Sequence, residues 1–219
     1  MTFSELIQAV QRNIQDDSRI SNIIGSHVGD MINRSVLEIA GGMKSVLGSW
    51  ITPPLPELLT IGTVDTATDA AYVSMPDNFQ RQLQFAASSE GTEIDIAESF
   101  ISFVEVYPLL DKSSSVVECC EVGGNFYYQG IPPLSAEITI HYYKSPTDMS
   151  DDDDEPDEIP SHLHRGLLIN HVCWKIFELI EDGLEEAGSN TEKYMKLFFS
   201  AVRTLELFIP YEGRTFNSR

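Results

Sequence analysis

Carboxylates and imidazoles crowd one stretch of this chain. Residues 148–158 hold eight acidic side chains among eleven, and His162, His164 and His171 follow close behind. Neighbours of those types can hold a metal ion or move protons, so the spacing decides. A calcium loop interleaves its carboxylates with glycine and backbone ligands and closes on a bidentate glutamate, whereas Asp151, Asp152, Asp153, Asp154 and Glu155 are consecutive. On a helix, His162 and His164 point to nearly opposite sides, and His164 and His171 sit ~10 Å apart along the axis. A zinc-protease helix places its histidines four apart around a glutamate, and this one does not. Cys119 and Cys120 are adjacent on a strand and face opposite ways, which predicts one buried and one half-exposed thiol rather than a ligand pair. The chain has no glycine-rich phosphate loop with lysine, no G-x-S-x-G and no C-x-x-C. These patterns assign no catalytic residue, no metal ligand and no cofactor. The alternative from the enzyme class is a cytosolic metal-dependent enzyme built on His162, His164 and the acidic run, which elemental analysis of the purified protein would reveal.

Folding explains only part of the acidic run. Asp157 and Glu158 precede a helix and gain ~0.3–1 kcal/mol each from its dipole. Asp151 to Glu155 repel one another and gain nothing from folding; the run reads either as a solvated loop that caps a helix or as a negative surface turned toward DNA or a partner. The whole chain leans the same way, with 34 acidic against 14 basic residues and a formal charge of −20. Nucleic-acid binding needs Lys and Arg to displace counterions, so free binding to nucleic acid is not expected of this chain, and repulsion of DNA would be a function of its own. An acidic DNA mimic that inhibits a nuclease is a further alternative, tested by binding to a basic host protein. Three cysteines make no disulfide framework and imply a reducing compartment. The first fifteen residues lack a basic region before an apolar run, unlike a secretory signal, and no apolar stretch approaches the ~18 residues of a membrane span.

The element that must position these groups is a helix over residues 161–182. Leu163, Leu167, Leu168, Ile169, Val172, Cys173, Trp174, Ile176, Phe177, Leu179 and Ile180 cover almost every side of it, the pattern of a core helix in which Leu167, Trp174 and Phe177 pack. At ~33 Å it would cross a small domain. Pro160 and Ser161 mark its start and Gly183 its end. Before it, Thr2 to Gln15 shows helical spacing of Phe3, Leu6, Ile7, Val10 and Ile14, with Thr2 and Glu5 as a capping box. A second helix runs over 27–46, broken or kinked at Gly41 and Gly42. From Leu58 the period changes to two. Residues 58–64 and 70–75 read as a hairpin, 83–87 as a third strand, 99–106 as helix or extended, 116–122 and 125–129 as a hairpin on Gly123-Gly124, and 136–143 as the last strand. A closing helix over 191–209 carries Tyr194, Leu197, Phe198, Ala201, Val202, Leu205 and Phe208. Tyr211 to Arg219 reads as a tail.

The order implies an α+β fold: terminal helices packed as a bundle around the 161–182 helix, with an inserted antiparallel β-rich part at about 58–143. Four segments follow: N-terminal helices (1–56), β-rich insertion (57–147), acidic loop with helical hairpin (148–209) and tail (210–219).

Three passages resemble tailed-bacteriophage adaptor proteins, the head-to-tail connectors. They are Met31-Ile32-Asn33-Arg34-Ser35-Val36-Leu37-Glu38-Ile39, then Tyr72-Val73-Ser74-Met75-Pro76-Asp77-Asn78-Phe79, and the block His141-Tyr142-Tyr143-Lys144-Ser145-Pro146, acidic run, Ile159-Pro160-Ser161-His162-Leu163-His164 before an apolar helix. The resemblance spans about residues 2–209. It implies a non-enzymatic virion protein at the head–tail neck, assembled in the host cytoplasm as a dodecameric ring. The ring would sit beneath the portal protein, continue the channel for double-stranded DNA and offer a platform to tail or nozzle proteins. On this reading Asp151, Asp152, Asp153, Asp154 and Glu155 form a DNA-repelling surface. Tyr211, Arg214, Phe216 and Arg219 then dock the tail on the portal or a neighbouring subunit.

Overall fold

The structure is a computed structural model that describes residues 1–14, 27–44, 50–181 and 189–208. The chain forms two compact units, one of residues 1–56 with 146–219 and the other of residues 57–145.

The first unit is helical. Its elements are α1 (Phe3–Ile14), α2 (His27–Ala40), the short strands β1 (Met43–Lys44) and β2 (Trp50–Thr52), α4 (Asn170–Glu181) and α5 (Ser189–Phe208). α1 buries Phe3, Leu6, Val10 and Ile14, one stripe at spacings of three and four. The capping box forms as read: the Thr2 N–H donates to Glu5 Oε2 at 3.1 Å and the Glu5 N–H to Thr2 Oγ1 at 3.3 Å. α2 stops at Ala40 instead of running to 46, because the chain turns at Gly41 and at Gly42, whose φ is +90°.

The core helix departs from the expected single α-helix. It opens as a 3₁₀ turn, Ser161–Leu163, continues as a π turn, Arg165–Ile169, and becomes α-helical only as α4. Close approach to α5 accompanies the change: a Cβ on Gly166 would lie 3.0 Å from that of Ala201, and the Asn170 side chain donates to the Gly166 carbonyl at 2.8 Å. The π turn and α4 contact α1, α2 and α5, burying Leu167, Leu168, Ile169, Val172, Cys173, Ile176 and Phe177. Leu179, in contrast, is 70% exposed. Gly183, the expected stop, lies outside the described residues. Glu181, just before it, reaches the start of α5 and accepts from the Thr191 N–H at 3.0 Å and its hydroxyl at 2.6 Å. Burial raises the pKa of that carboxyl, but hydrogen bonds from Thr191 and Asn190 outweigh it and hold Glu181 below its ordinary value.

At the centre of this unit His171 packs against Phe198 (4.8 Å between ring centroids) and Trp174 (5.5 Å). The Ser35 hydroxyl donates to the Met31 carbonyl at 2.8 Å and so accepts from His171 Nδ1–H at 2.9 Å. His171 is 1% exposed, and burial, with Lys175 nearby, pushes its pKa down to about 4. Glu38 Oε2 stands 3.5 Å from Nε2. That carboxylate is 42% exposed, so water solvates it and weakens its pull on the ring. A depressed histidine pKa means the unfolded state takes up protons first. The stability that neutral His171 contributes is therefore complete above pH 6.5 and is lost as pH falls toward 4. The loss amounts to about 3 kcal/mol. Denaturant titrations at pH 7 and pH 4 are expected to show it, with His171→Phe flattening that slope; an unchanged slope would remove His171 as the cause.

The second unit holds β3 (Leu59–Asp65), β4 (Tyr72–Ser74), β5 (Phe79–Ser88), β6 (Asp95–Ile96), α3 (Phe100–Val106), β7 (Glu118–Val122), β8 (Asn125–Tyr128) and β9 (Glu137–Lys144). One sheet runs β3-β9-β5, the other β4-β8-β7-β6, with β6 parallel to β7. Val64, Ile138, Ile140 and Tyr142 from the first meet Cys119, Phe126 and Tyr128 from the second in one core. The β7–β8 hairpin turns on Gly123 and Gly124 at φ +59° and +76°, the left-handed pair that a primed two-residue turn demands. α3 settles the 99–106 ambiguity, and Ser99 with Ser102 makes its capping box.

Two expectations fail in this unit. β3 and β4 do not pair; they belong to different sheets. The link between them is held by long-range partners instead of a tight turn. The Thr66 N–H donates to the Ala136 carbonyl at 3.0 Å, while Tyr128 Oη accepts from the Ala67 N–H and donates to the Ala70 carbonyl, both at 2.8 Å. Cys120 is not half-exposed: it and Cys119 are both buried, and burial pushes the Cys119 thiol up to about 12 and raises Cys120 as well.

Candidate functional site

The acidic run is a structured strap across the start of α1. The Phe3 N–H donates to the Asp154 carbonyl at 2.7 Å and the Ser4 N–H to the Asp152 carbonyl at 3.2 Å. Helix starts leave such N–H groups without partners, and here backbone oxygens of the strap supply them. Asp154 shapes the strap from within. Its Oδ2 accepts from the Ser150 and Asp151 N–H groups at 2.7 and 2.8 Å, and these bonds hold its pKa below the ordinary value. Asn33 on α2 grips the other end: its side chain donates to the Met149 carbonyl at 2.9 Å and accepts from the Met149 N–H at 3.1 Å. Met149, Pro156, Glu158 and Ile159 turn inward, while Asp151, Asp152, Asp153, Glu155 and Asp157 stay exposed.

The expected start at Pro160 and Ser161 carries no side-chain cap, and Pro160 stands at the N-cap of the 3₁₀ turn. The strap gives backbone acceptors to α1, while the carboxylates of Asp151, Asp152, Asp153 and Asp157 stay exposed and that of Glu155 stands 3.6 Å from the Met1 amino group.

His164 and His171 are committed to structure, while His162 is exposed. His164 Nδ1 accepts from the Met1 amino group at 3.0 Å, which places the ring proton on Nε2 for donation to the Ile159 carbonyl at 2.7 Å. Burial is the largest cause of its lowered pKa. Among the described residues no three His, Cys, Asp or Glu side chains converge as a metal site. Leu167 and Phe177 are buried, Phe177 stacking on Tyr194 at 5.5 Å with 5° between ring planes. Trp174 is half-buried under Lys175 Nζ, 4.2 Å from its ring centre. Tyr211, Arg214, Phe216 and Arg219 lie outside the described residues.

Sequence reading missed the reach of Asn33 across 116 residues to Met149. Asn33 lies on the flank of the buried stripe of α2, so helical spacing gave no signal of that contact. Asn33→Ala should remove two part-buried hydrogen bonds and cost about 1–3 kcal/mol. Thermal unfolding, with protease cleavage near residue 149 as a second readout, checks this; an unchanged melting temperature would show that the strap is held elsewhere.

The arrangement is an acidic surface on a rigid backbone. Its carboxylates act on charges within about 8 Å at physiological salt, and so on whatever passes closely. Elsewhere in the chain, burial pushes the Cys119 and Cys173 thiols up to about 12. The family model described as SU10 adaptor protein matches residues 1–215. The chain belongs to the SU10 adaptor protein family. No curated protein matches it. The family is one of phage structural adaptors, and membership covers both units and the strap. No described helix of this adaptor is long and apolar enough to cross a membrane.

Proposed function

We propose that this adaptor assembles as a dodecameric ring at the virion neck, built in the host cytoplasm. The ring joins the portal vertex to tail or nozzle proteins and continues the DNA channel. The family match over residues 1–215 carries this reading, and the distribution of charge supports it. Residues 148–158 hold eight carboxylates and no base, and residues 57–145 hold thirteen acidic against three basic side chains. The rest of the chain is nearly balanced, with thirteen acidic and eleven basic residues. In the ring, residues 1–56 and 148–209 act as the helical wedge, residues 57–147 as the β-rich part that meets neighbours or the tail, and residues 210–219 as a docking segment. Asp151, Asp152, Asp153, Asp154 and Glu155 face the lumen, where like charge keeps double-stranded DNA sliding without specific binding.

Negative-stain images of the purified protein mixed with portal protein test the proposal. Rings capping the portal are the expected result. A monomer that ignores the portal would overturn it.

A further inference from the structure

β3 and β4 each end a sheet, so each has one side without a hydrogen-bonded strand. These two edges line the same open groove, of about 350 Å³, between residues 63–65 and 73–77. Edge strands normally carry devices that discourage pairing, such as lysine or proline; β3 reads Leu59-Thr60-Ile61-Gly62-Thr63-Val64-Asp65 and has neither. Its exposed face presents Leu59 and Ile61, the latter 66% exposed. Val64 and Met75, buried members of the core, form the groove's inner side together with Val73.

Asp65 lines the groove as well. Asp65 stands directly opposite Glu137 in the β3–β9 register, a like-charge pairing that works against the sheet. Asp77 is a further lining residue. None of the three carboxylates has an ion-pair partner among the described residues. The missing occupant is thus an extended segment with an apolar side chain on one face and a cation on the other.

We propose that the groove takes residues 211–219 of an adjacent copy as an added strand bridging β3 and β4. This rests on the ring reading. In this strongly acidic chain that segment holds two arginines against one glutamate. Phe216 and Arg219 are three apart, so an extended strand turns them to opposite faces. The Phe216 ring then extends the core at Val64 and Met75 while the guanidinium meets Asp65 and offsets its repulsion with Glu137 across the β3–β9 pair. Strand addition of this kind draws affinity from main-chain hydrogen bonds and selectivity from alternating side chains.

Full-length variants test it by charge exchange and by cross-linking. Asp65→Lys and Arg219→Glu should each weaken subunit association about tenfold, and the two together should restore it to within about threefold. Separately tagged copies carrying Thr63→Cys and Asn217→Cys should form a disulfide between copies under mild oxidation. Rings that assemble normally with Asp65→Lys and yield no cross-link overturn the inference and leave the ring reading standing. A cross-link within one copy overturns the adjacent-copy assignment. Failure of the unaltered protein to form rings removes the ring reading, and this inference with it.

Discussion

Replacing Asp151, Asp152 and Asp153 together with lysine is expected to cut phage yield at least about tenfold while leaving the adaptor folded. The three side chains are exposed and make no hydrogen bond among the described residues, whereas the strap is held through backbone atoms: the Asp152 and Asp154 carbonyls on α1, and Met149 on Asn33. The substitution moves the local charge by six without touching those bonds. Lysines in a channel would bind passing phosphates and release their counterions, so DNA that should slide would stick. Asp154 is left in place because its carboxylate shapes the strap, and Asp154→Ala alone should loosen residues 150–154 instead of altering DNA passage. Packaged genome length and ejection rate are the direct readouts. Normal yield and normal ejection from the triple-lysine virus would remove the lumenal placement of the acidic surface.

The second large effect concerns the folded state. Phe198→Ala should destabilise the helical unit by about 3–5 kcal/mol. Phe198 is fully buried and its ring meets His171 at 4.8 Å, Phe199 at 5.3 Å and Trp174 at 5.8 Å. Deleting it opens a cavity that the stiff aromatic neighbours cannot fill, so the lost transfer energy and the cavity cost add. The loss should couple to Trp174→Ala, since each substitution removes part of the other's contact surface, and the double variant should lose less than the sum of the two. Chemical denaturation of the single and double variants measures this. A loss below about 1 kcal/mol for Phe198→Ala would show that the cluster can repack, contrary to its burial.

Much of the local structure was legible because it depends on neighbours a few residues apart. The stripe Phe3, Leu6, Val10 and Ile14 needs only helical spacing to declare itself, and Gly123-Gly124 between two alternating runs needs only the positive φ that glycine permits. The pairing of strands was not legible in the same way. Residues 58–64 and 70–75 are short, alternating and close in sequence, so they read as a hairpin. The outcome turned on Thr66 and Tyr128, whose hydrogen bonds reach about seventy and sixty residues along the chain to Ala136 and Ala70. Cys120 was misjudged for a related reason: alternation assumes one solvated face, and both thiols here lie under cover.

By itself, then, the sequence determined the α+β class, the positions of most helices, the β7–β8 turn and the concentration of negative charge in residues 148–158. Each of these follows from composition or from periodicities within a single element. Only the tertiary structure decided where the acidic run spends its backbone, that the 161–182 helix passes through 3₁₀ and π turns before α4, that His171 and His164 are structural, and that β3 and β4 face a common open groove. Those outcomes depend on which donors and acceptors meet across long separations. A carbonyl finds its partner through the packing of whole elements, and residue type leaves no mark of that choice along the chain.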